Sequence, residues 1–423
     1  MRRLVIALVV LAVLVGGVLA AFVIHRMQQG KDVRGSSTTE FTLPTSPPPA
    51  PKPADPIPWP TYGFDAARTR ALDLALQPPF RPTWTYHAGS LVEFPPSIGY
   101  GRLYFSTNAG ELTAVNAKTG KRAWMYESHR CVAASPAIGT RQRGTIYEAF
   151  LNRPPCNAAA GGHGVDGRVI AFAAGLGKIR WSKTIGPSES SPLLVGDRLY
   201  VGDWNGDVWA LDARTGRTIW RTPTKGAVKG AVATAYGRLY VGSYDGHVYC
   251  LSPATGKVLW RASAQPRLYG TSTFYSTPAV AYRRVYIGST DGKVYSFGAL
   301  TGKLRWSRST GGYVYASPAV WNGLVLAGSY SGRFYALDAA TGEVRWSFPA
   351  AGKISGSATV IGNVVYFATL NGGARAKGRT YALDVRTGKQ LWSFPDGKYT
   401  PAVATPGRLF LIGYGQVYGM VPG

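Results

Sequence analysis

Four side chains able to bind a soft metal fall within one stretch of the chain: His129, Cys131, Cys156 and His163. Two thiolates and two imidazoles make a tetrahedral zinc set. In an oxidising compartment the same two cysteines instead close a disulfide around a 25-residue loop, and the pairing Cys131–Cys156 is the preferred reading. Gly162, Gly164 and Gly167 satisfy the spacing G-x-G-x-x-G. A phosphate cradle of that kind needs a strand before it and a helix after it. Neither pattern flanks this one, so it reads as a loop. No serine, histidine and acid form a legible nucleophilic set. These residues point to a stapled loop and assign no catalytic residue.

What positions them is a repeat. Residues 208–220 read VWALDARTGRTIW, and near-copies end at Trp260, Trp346 and Trp392. Aligned on tryptophan, the chain shows Trp84, Trp124, Trp181, Trp220, Trp260, Trp306, Trp346 and Trp392, separated by 40, 57, 39, 40, 46, 40 and 46 residues. Within one period, at 191–220, short β-rich runs alternate with Gly-Asp, Asn-Gly and Thr-Gly turn signals. Four antiparallel strands in about forty residues describe one propeller blade, which cannot bury both faces alone. Seven complete units end at Trp124 through Trp392. The C-terminal run TPAVATPGRLFLIGYGQVYGMV supplies three strands and no tryptophan, while Trp84 has an outer strand with no three before it. The sequence therefore predicts an all-β, eight-bladed propeller whose last blade is sewn from both chain ends. In each unit the Asp and Thr oxygens (Asp212, Thr215) cap the turn, Gly216 supplies a positive φ, and the tryptophan packs on a neighbour. Cys250 replaces the small Ala of the repeat and reads as a buried spacer.

The spacing A-x-D-x-x-T-G-x-x-x-W resembles the repeat of pyrroloquinoline-quinone (PQQ)-like propellers. The units at Ala210–Trp220, Ala336–Trp346 and Ala382–Trp392 match it fully. Asn116, Ser252 and Gly298 stand where the aspartate belongs in three others, and the unit ending at Trp181 keeps only Ala171, Gly177 and Trp181. WPTYGFDAARTR at 59–70 also resembles the segment that opens quinoprotein dehydrogenase propellers. The resemblance implies two functional branches. Dehydrogenases of this type hold PQQ and Ca²⁺ in the central funnel, beside adjacent cysteines and a set of acidic and Asn ligands. This chain has three cysteines, none adjacent, and many of its carboxylates occupy turns, so neither PQQ nor Ca²⁺ is expected. The other branch is non-catalytic and includes BamB-like components of outer-membrane assembly. Those are lipoproteins, whereas this chain has an apolar N-terminal run.

Insertions relative to the 39-residue unit ending at Trp220 gather on one face of the disc. About 14 residues enter the unit ending at Trp181, about seven the one ending at Trp306 and six the one ending at Trp392. Long loops on one face mark a binding face. The residues expected to form it are Lys225, Lys229, Arg267, Tyr269, Tyr313, Tyr315, Lys353, Arg375 and Lys398, types suited to binding hot spots.

Leu4 to Ile24 is an uncharged run of 21 residues preceded by Arg2 and Arg3, enough to cross a bilayer as a helix. A cleavable signal is the rival, with Val18-Leu19-Ala20 as a small-residue site. Either one exports the remainder of the chain. Residues 27–58 lose periodicity and become Ser/Thr- then Pro-rich, which reads as a disordered spacer holding the domain clear of the membrane. The expected organisation is a signal-anchor helix at 1–26, a linker at 27–58 and the propeller at 59–423. Formal net charge is +26, of which +23 belongs to the chain after residue 60. Such a surface attracts envelope proteins, anionic cell-wall polymer or lipid; export makes nucleic acid an unfit partner, and a monomer is expected. The reading is thus a non-catalytic envelope scaffold, with a PQQ-dependent dehydrogenase as the alternative.

Overall fold

The structure is a computed structural model that describes residues 2–43, 56–140, 144–154, 156, 166–267, 270–370, 378–399 and 402–423; for residues 2–5, 7 and 9 it describes the backbone only. It is an eight-bladed β-propeller preceded by one helix, α1 (Arg2–Gln29). Blade 1 is built from Ser97–Gly99, Arg102–Ser106, Glu111–Asn116 and Arg122–Glu127, in order from the axis outward. Blades 2 to 7 repeat the plan over 137–185, 193–223, 233–263, 279–309, 319–349 and 359–394. Blade 8 takes Val403–Thr405, Arg408–Ile412 and Gln416–Pro422 from the C-terminus, and its outer strand is Phe80–His87. Thr85 pairs with Tyr418 and Arg81 with Val421, so the ring is closed by hydrogen bonds between the chain's two ends.

The repeated tryptophan and glycine belong to one joint between neighbouring blades. The indole of Trp181 lies on Gly216 of the next blade, whose φ is +72°, and a Cβ there would sit 2.6 Å from the ring. Glycine at this point answers both demands, a left-handed backbone and a flat aromatic against it. The indole N–H then donates to a carbonyl of the same neighbouring turn: Trp124 to Ala174 at 2.9 Å, Trp181 to Ala213 at 3.0 Å, Trp220 to Pro253 at 3.0 Å, Trp260 to Ala299 at 3.1 Å and Trp306 to Ala339 at 2.9 Å. A buried tyrosine on the second strand of each of these five blades donates to the same carbonyl, as Tyr240 does to Ala299 at 3.1 Å. Asp212 Oδ1 accepts from the Arg214 and Thr215 N–H groups at 3.0 and 2.8 Å. Asn116 makes the matching pair in blade 1, so that departure from the repeat leaves the turn intact.

Residues 57–72 thread the inside of the ring at the end remote from the long loops. Trp59 pairs with Ile98 of blade 1, and the carbonyls of Pro60, Ala66, Ala67, Thr69 and Arg70 accept from innermost-strand residues of blades 2, 4, 5, 6 and 7. Thr61 Oγ1 donates to Pro192 beside blade 3, at 3.2 Å. One short segment therefore touches seven of the eight blades. Arg68 is fully buried at its centre, donating to the carbonyls of Val232, Tyr62, Ser191 and Pro192 and to Thr61 Oγ1.

Two expectations are corrected here. The helix runs on to Gln29. Residues 30–43, read as loose spacer from their Ser/Thr content, lie along the outside of blade 5: Val33 forms a bridge with Ser307, and Arg284 donates to the carbonyls of Ser36, Thr39 and Glu40. Those backbone bonds need no side-chain periodicity, which is why the composition concealed them. The Pro-rich part of the linker, 44–55, lies outside the described residues.

Candidate functional site

In an antiparallel blade, the connection from an outer strand to the next innermost strand shares a face with the loop between strands two and three. The strands that flank the three insertions, ending at Phe150, Ser263 and Ala368 and resuming at Gly167, Ala279 and Thr380, place those connections on this face. Eight times the chain steps down from the rim to the axis here, and the steps line a central funnel. Its wall is formed by Glu93, Glu189, Lys229, Tyr275, Tyr315 and Tyr399, with Tyr62 of the threaded segment as its floor. Tyr62 is held there by Ser357 Oγ at 2.7 Å and Ser317 Oγ at 3.2 Å.

Hydroxyls placed just before the innermost strands fix the funnel's diameter. Ser191 Oγ accepts from Ser135 N, Thr277 from Ala231 N, Ser317 from Thr277 N and Ser357 from Ser317 N, at 2.8–3.0 Å. Blades 3, 5, 6 and 7 are thus each tied to the blade before them.

The electrostatics are those of two half-buried carboxylates facing one ammonium. Lys229 Nζ lies 3.3 Å from Glu189 Oε1, 4.0 Å from the centre of the Trp204 ring and 5.3 Å from that of Tyr244. Glu189 Oε2 is buried with no partner among the described residues. Burial raises the Glu189 carboxyl above its ordinary range, with Lys229 opposing. Burial likewise pushes Glu93 up to about 7, against the Asn108 amide that donates to it at 2.9 Å, and the neighbouring Glu189 adds to the rise. Around them the tyrosines pack edge to face: Tyr275 with Tyr315 at 5.3 Å, Tyr315 with Tyr330 at 5.0 Å and Tyr313 with Tyr315 at 5.8 Å between ring centres.

Of the expected binding-face residues, Lys229 and Tyr315 line the funnel. Tyr313 and Lys353 stand exposed at its lip, the Lys353 ammonium 5.6 Å from the Tyr330 ring. Lys398 is buried, 5.1 Å from the Tyr414 ring, and burial lowers its pKa. Lys225 is exposed further out, and Arg267 sits at the rim beside the end of α1, apart from the funnel. Tyr269 and Arg375 lie outside the described residues, as does His163. Cys131 and Cys156 are joined as a disulfide that ties the longest insertion to the rim near Phe94 and Trp204. Cys250 is buried, and burial pushes its thiol up to about 12, so it is no nucleophile at neutral pH. Sequence reasoning missed Glu93, Glu189 and Tyr62, which occur once each. It also passed over a signal in plain view, the Ser or Thr before the innermost strands at 135, 191, 277, 317 and 357.

These residues do not fit PQQ and its ion. PQQ is a flat tricycle bearing three carboxylates, and the funnel presents two carboxylates to it while its lysine is already paired. About 50 Å³ of free space remains above Tyr62, where a cofactor pocket has roughly 300 Å³ or more. Among the described residues no group of three His, Cys, Asp or Glu side chains is placed to hold a metal.

A family model described as outer membrane protein assembly factor BamB matches residues 81–150, 165–313 and 309–418. The BamB protein of Shewanella oneidensis is 28% identical over 153 residues, 32% of this chain and 35% of that protein. The quinohemoprotein alcohol dehydrogenase of Comamonas testosteroni is 32% identical over 181 residues, 41% of this chain and 19% of the enzyme. The chain thus spans about a third or less of the length of these curated relatives. The crystal structure of BamB from Moraxella catarrhalis superposes with a TM-score of 0.65 at 18% identity, covering 81% of this chain and all of that one.

Proposed function

The chain belongs to the family described as outer membrane protein assembly factor BamB, and from that membership we propose that it is a membrane-anchored, extracytoplasmic scaffold whose funnel face binds protein partners of the cell envelope. The observation that carries this reading is the funnel lip. There a wall of tyrosines, held rigid by edge-to-face packing, surrounds the Glu93–Glu189–Lys229 group above a plugged channel. Rigid aromatics with a desolvated charge pair at the centre of a concave surface are the ingredients of a protein-binding hot spot. A plugged channel with little free volume suits a partner's loop or side chain better than a diffusible substrate. Anchoring through α1 is supported by its Val10–Gln29 window, with a mean hydropathy of 2.1 and no part of it buried against the propeller. Its run from Leu4 to Ile24 is uncharged, and an apolar run of that length left uncovered belongs in lipid.

The test is capture of partners by cross-linking in native membranes with charge reversal at Lys225 and Lys353, two exposed cations of this face. Their reversal is expected to reduce capture several-fold with the melting temperature unchanged, and undiminished capture would remove the funnel face from the account. The same protein mixed with PQQ and Ca²⁺ is expected to show no dye-linked alcohol oxidation; activity would establish the dehydrogenase instead.

A further inference from the structure

Glu40 stands where the repeat normally places its own carboxylate. In blades 3, 6 and 7 that group (Asp212, Asp338, Asp384) accepts from the backbone N–H groups two and three residues further on. Blade 5 has Gly298 at this position, and a methyl group there would overlap Glu40 Oε2. Glu40 takes Leu300 N at 3.3 Å and Thr301 Oγ1 at 2.8 Å, two and three residues past Gly298, and pairs with Arg305. Blade 5 is incomplete without the segment 30–43, and Arg284, fully buried, would lose its carbonyl partners if that segment left. Docking is written into both surfaces.

The register of docking sets a direction. Asp32 accepts from Ser309 at the funnel-face end of blade 5's outer strand, and Thr42 N donates to Tyr282 O in a turn of the opposite face. The segment therefore descends from the funnel face, and α1 departs from the funnel-face rim. There Gln265 Nε2 donates to the carbonyls of Gln29 and Lys31 at 3.0 and 2.8 Å. A cleft of about 270 Å³ opens between the helix end and this rim, lined by Arg26, Gln265, Arg267, Asp291 and Lys293 among others. Lys293 is already held by Gly30 O and Gln265 Oε1 and lies 3.5 Å from Asp32. Arg26 and Arg267 have no ion-pair partner among the described residues and supply the unmatched charge. Both faces of the disc are basic, so charge alone does not choose between them. The position of the helix does.

Resting on the anchored reading above, we propose that residues 30–43 clasp the propeller with its funnel face against the bilayer that α1 enters, and that Arg26 and Arg267, across the cleft at the helix end, hold the phosphate of an anionic lipid headgroup. Cations close to a lipid surface gain most from anionic headgroups, and the short, bonded connection leaves no slack to turn the disc over. The partner that fills the funnel then approaches from the membrane side.

The experiment uses the full-length protein in nanodiscs of phosphatidylcholine, with and without phosphatidylglycerol, containing a headgroup-quencher lipid. A fluorophore is placed at Tyr313→Cys on the funnel face or at Lys257→Cys on the opposite face. Quenching is expected to be several-fold stronger at 313 than at 257. Gly298→Asp restores the repeat's own carboxylate and evicts Glu40; it should bring the two sites to parity with the β-sheet circular dichroism retained. Should that variant fail to fold, Glu40→Lys applies the same test. Phosphatidylglycerol should strengthen quenching at 313, and Arg267→Glu should abolish that gain. Equal or greater quenching at 257 in the parent protein overturns the orientation, and indifference to phosphatidylglycerol overturns the headgroup site. A protein that fails to enter the discs, with a mass showing α1 removed, overturns the anchored reading itself and this proposal with it.

Discussion

Individual side chains in this propeller carry consequences out of proportion to their number, and Glu148 is the plainest case. It is fully buried, accepts from Ser106 Oγ at 2.7 Å and from Ala149 N at 3.0 Å, and burial pushes its carboxyl up to about 8. The native state then holds the proton more tightly than the unfolded chain, whose carboxyl titrates near 4.5. Stability from this group is complete below that value and is lost as pH rises toward 8. Glu93 acts in the same direction up to about 7. The melting temperature should fall between pH 5 and 8, and Glu148→Gln should flatten the slope. A slope unchanged by that substitution would show that Glu148 is ionised in the fold. Such groups were invisible in the sequence, because nothing in the run TIYEAF says which strand neighbour covers the carboxylate.

At the scale of elements, the joints between blades are unequal. Five of them combine an indole and a tyrosine hydroxyl on one carbonyl of the next turn. Blade 8 has no such turn, since its third and outer strands come from different ends of the chain. Across that seam the Tyr366 hydroxyl is buried with no partner among the described residues, and Trp392 packs edge-on with Phe80 at 5.7 Å instead. Tyr240→Phe should therefore cost about 1 kcal/mol, whereas Tyr366→Phe should be neutral or mildly stabilising, because it removes a buried group that makes no bond. Thermal melting of the two variants decides, and equal losses would contradict the described seam. The eight blades and their closure were legible because tryptophan, glycine and the turn residues recur at a fixed period. The clasp of residues 30–43 was not, since it occurs once and its Ser/Thr composition is that of a linker. Yet Gly298 was visible as a departure from the repeat. Among the turns that lack the repeat's aspartate, only Gly298 carries no side chain at all, and there another segment supplies the carboxylate.

The whole molecule is a ring held from within. The segment 57–72 bonds to seven blades and floors the funnel, so the central channel is occupied by the chain itself. Fold and ring order come from periodic sequence; the funnel's chemistry rests on single residues in loops, Glu93, Glu189 and Lys229, which no period announces. That division explains why family membership can be stated while the partner waits on experiment. A photo-cross-linking residue placed at Tyr313, on the funnel lip, or at Lys257, in an opposite-face turn, compares the two faces of one protein in its own membrane. A binding scaffold that works through the funnel predicts a discrete protein adduct from position 313 that position 257 does not give. Adducts from 257 alone, or the same adducts from both positions, would contradict it.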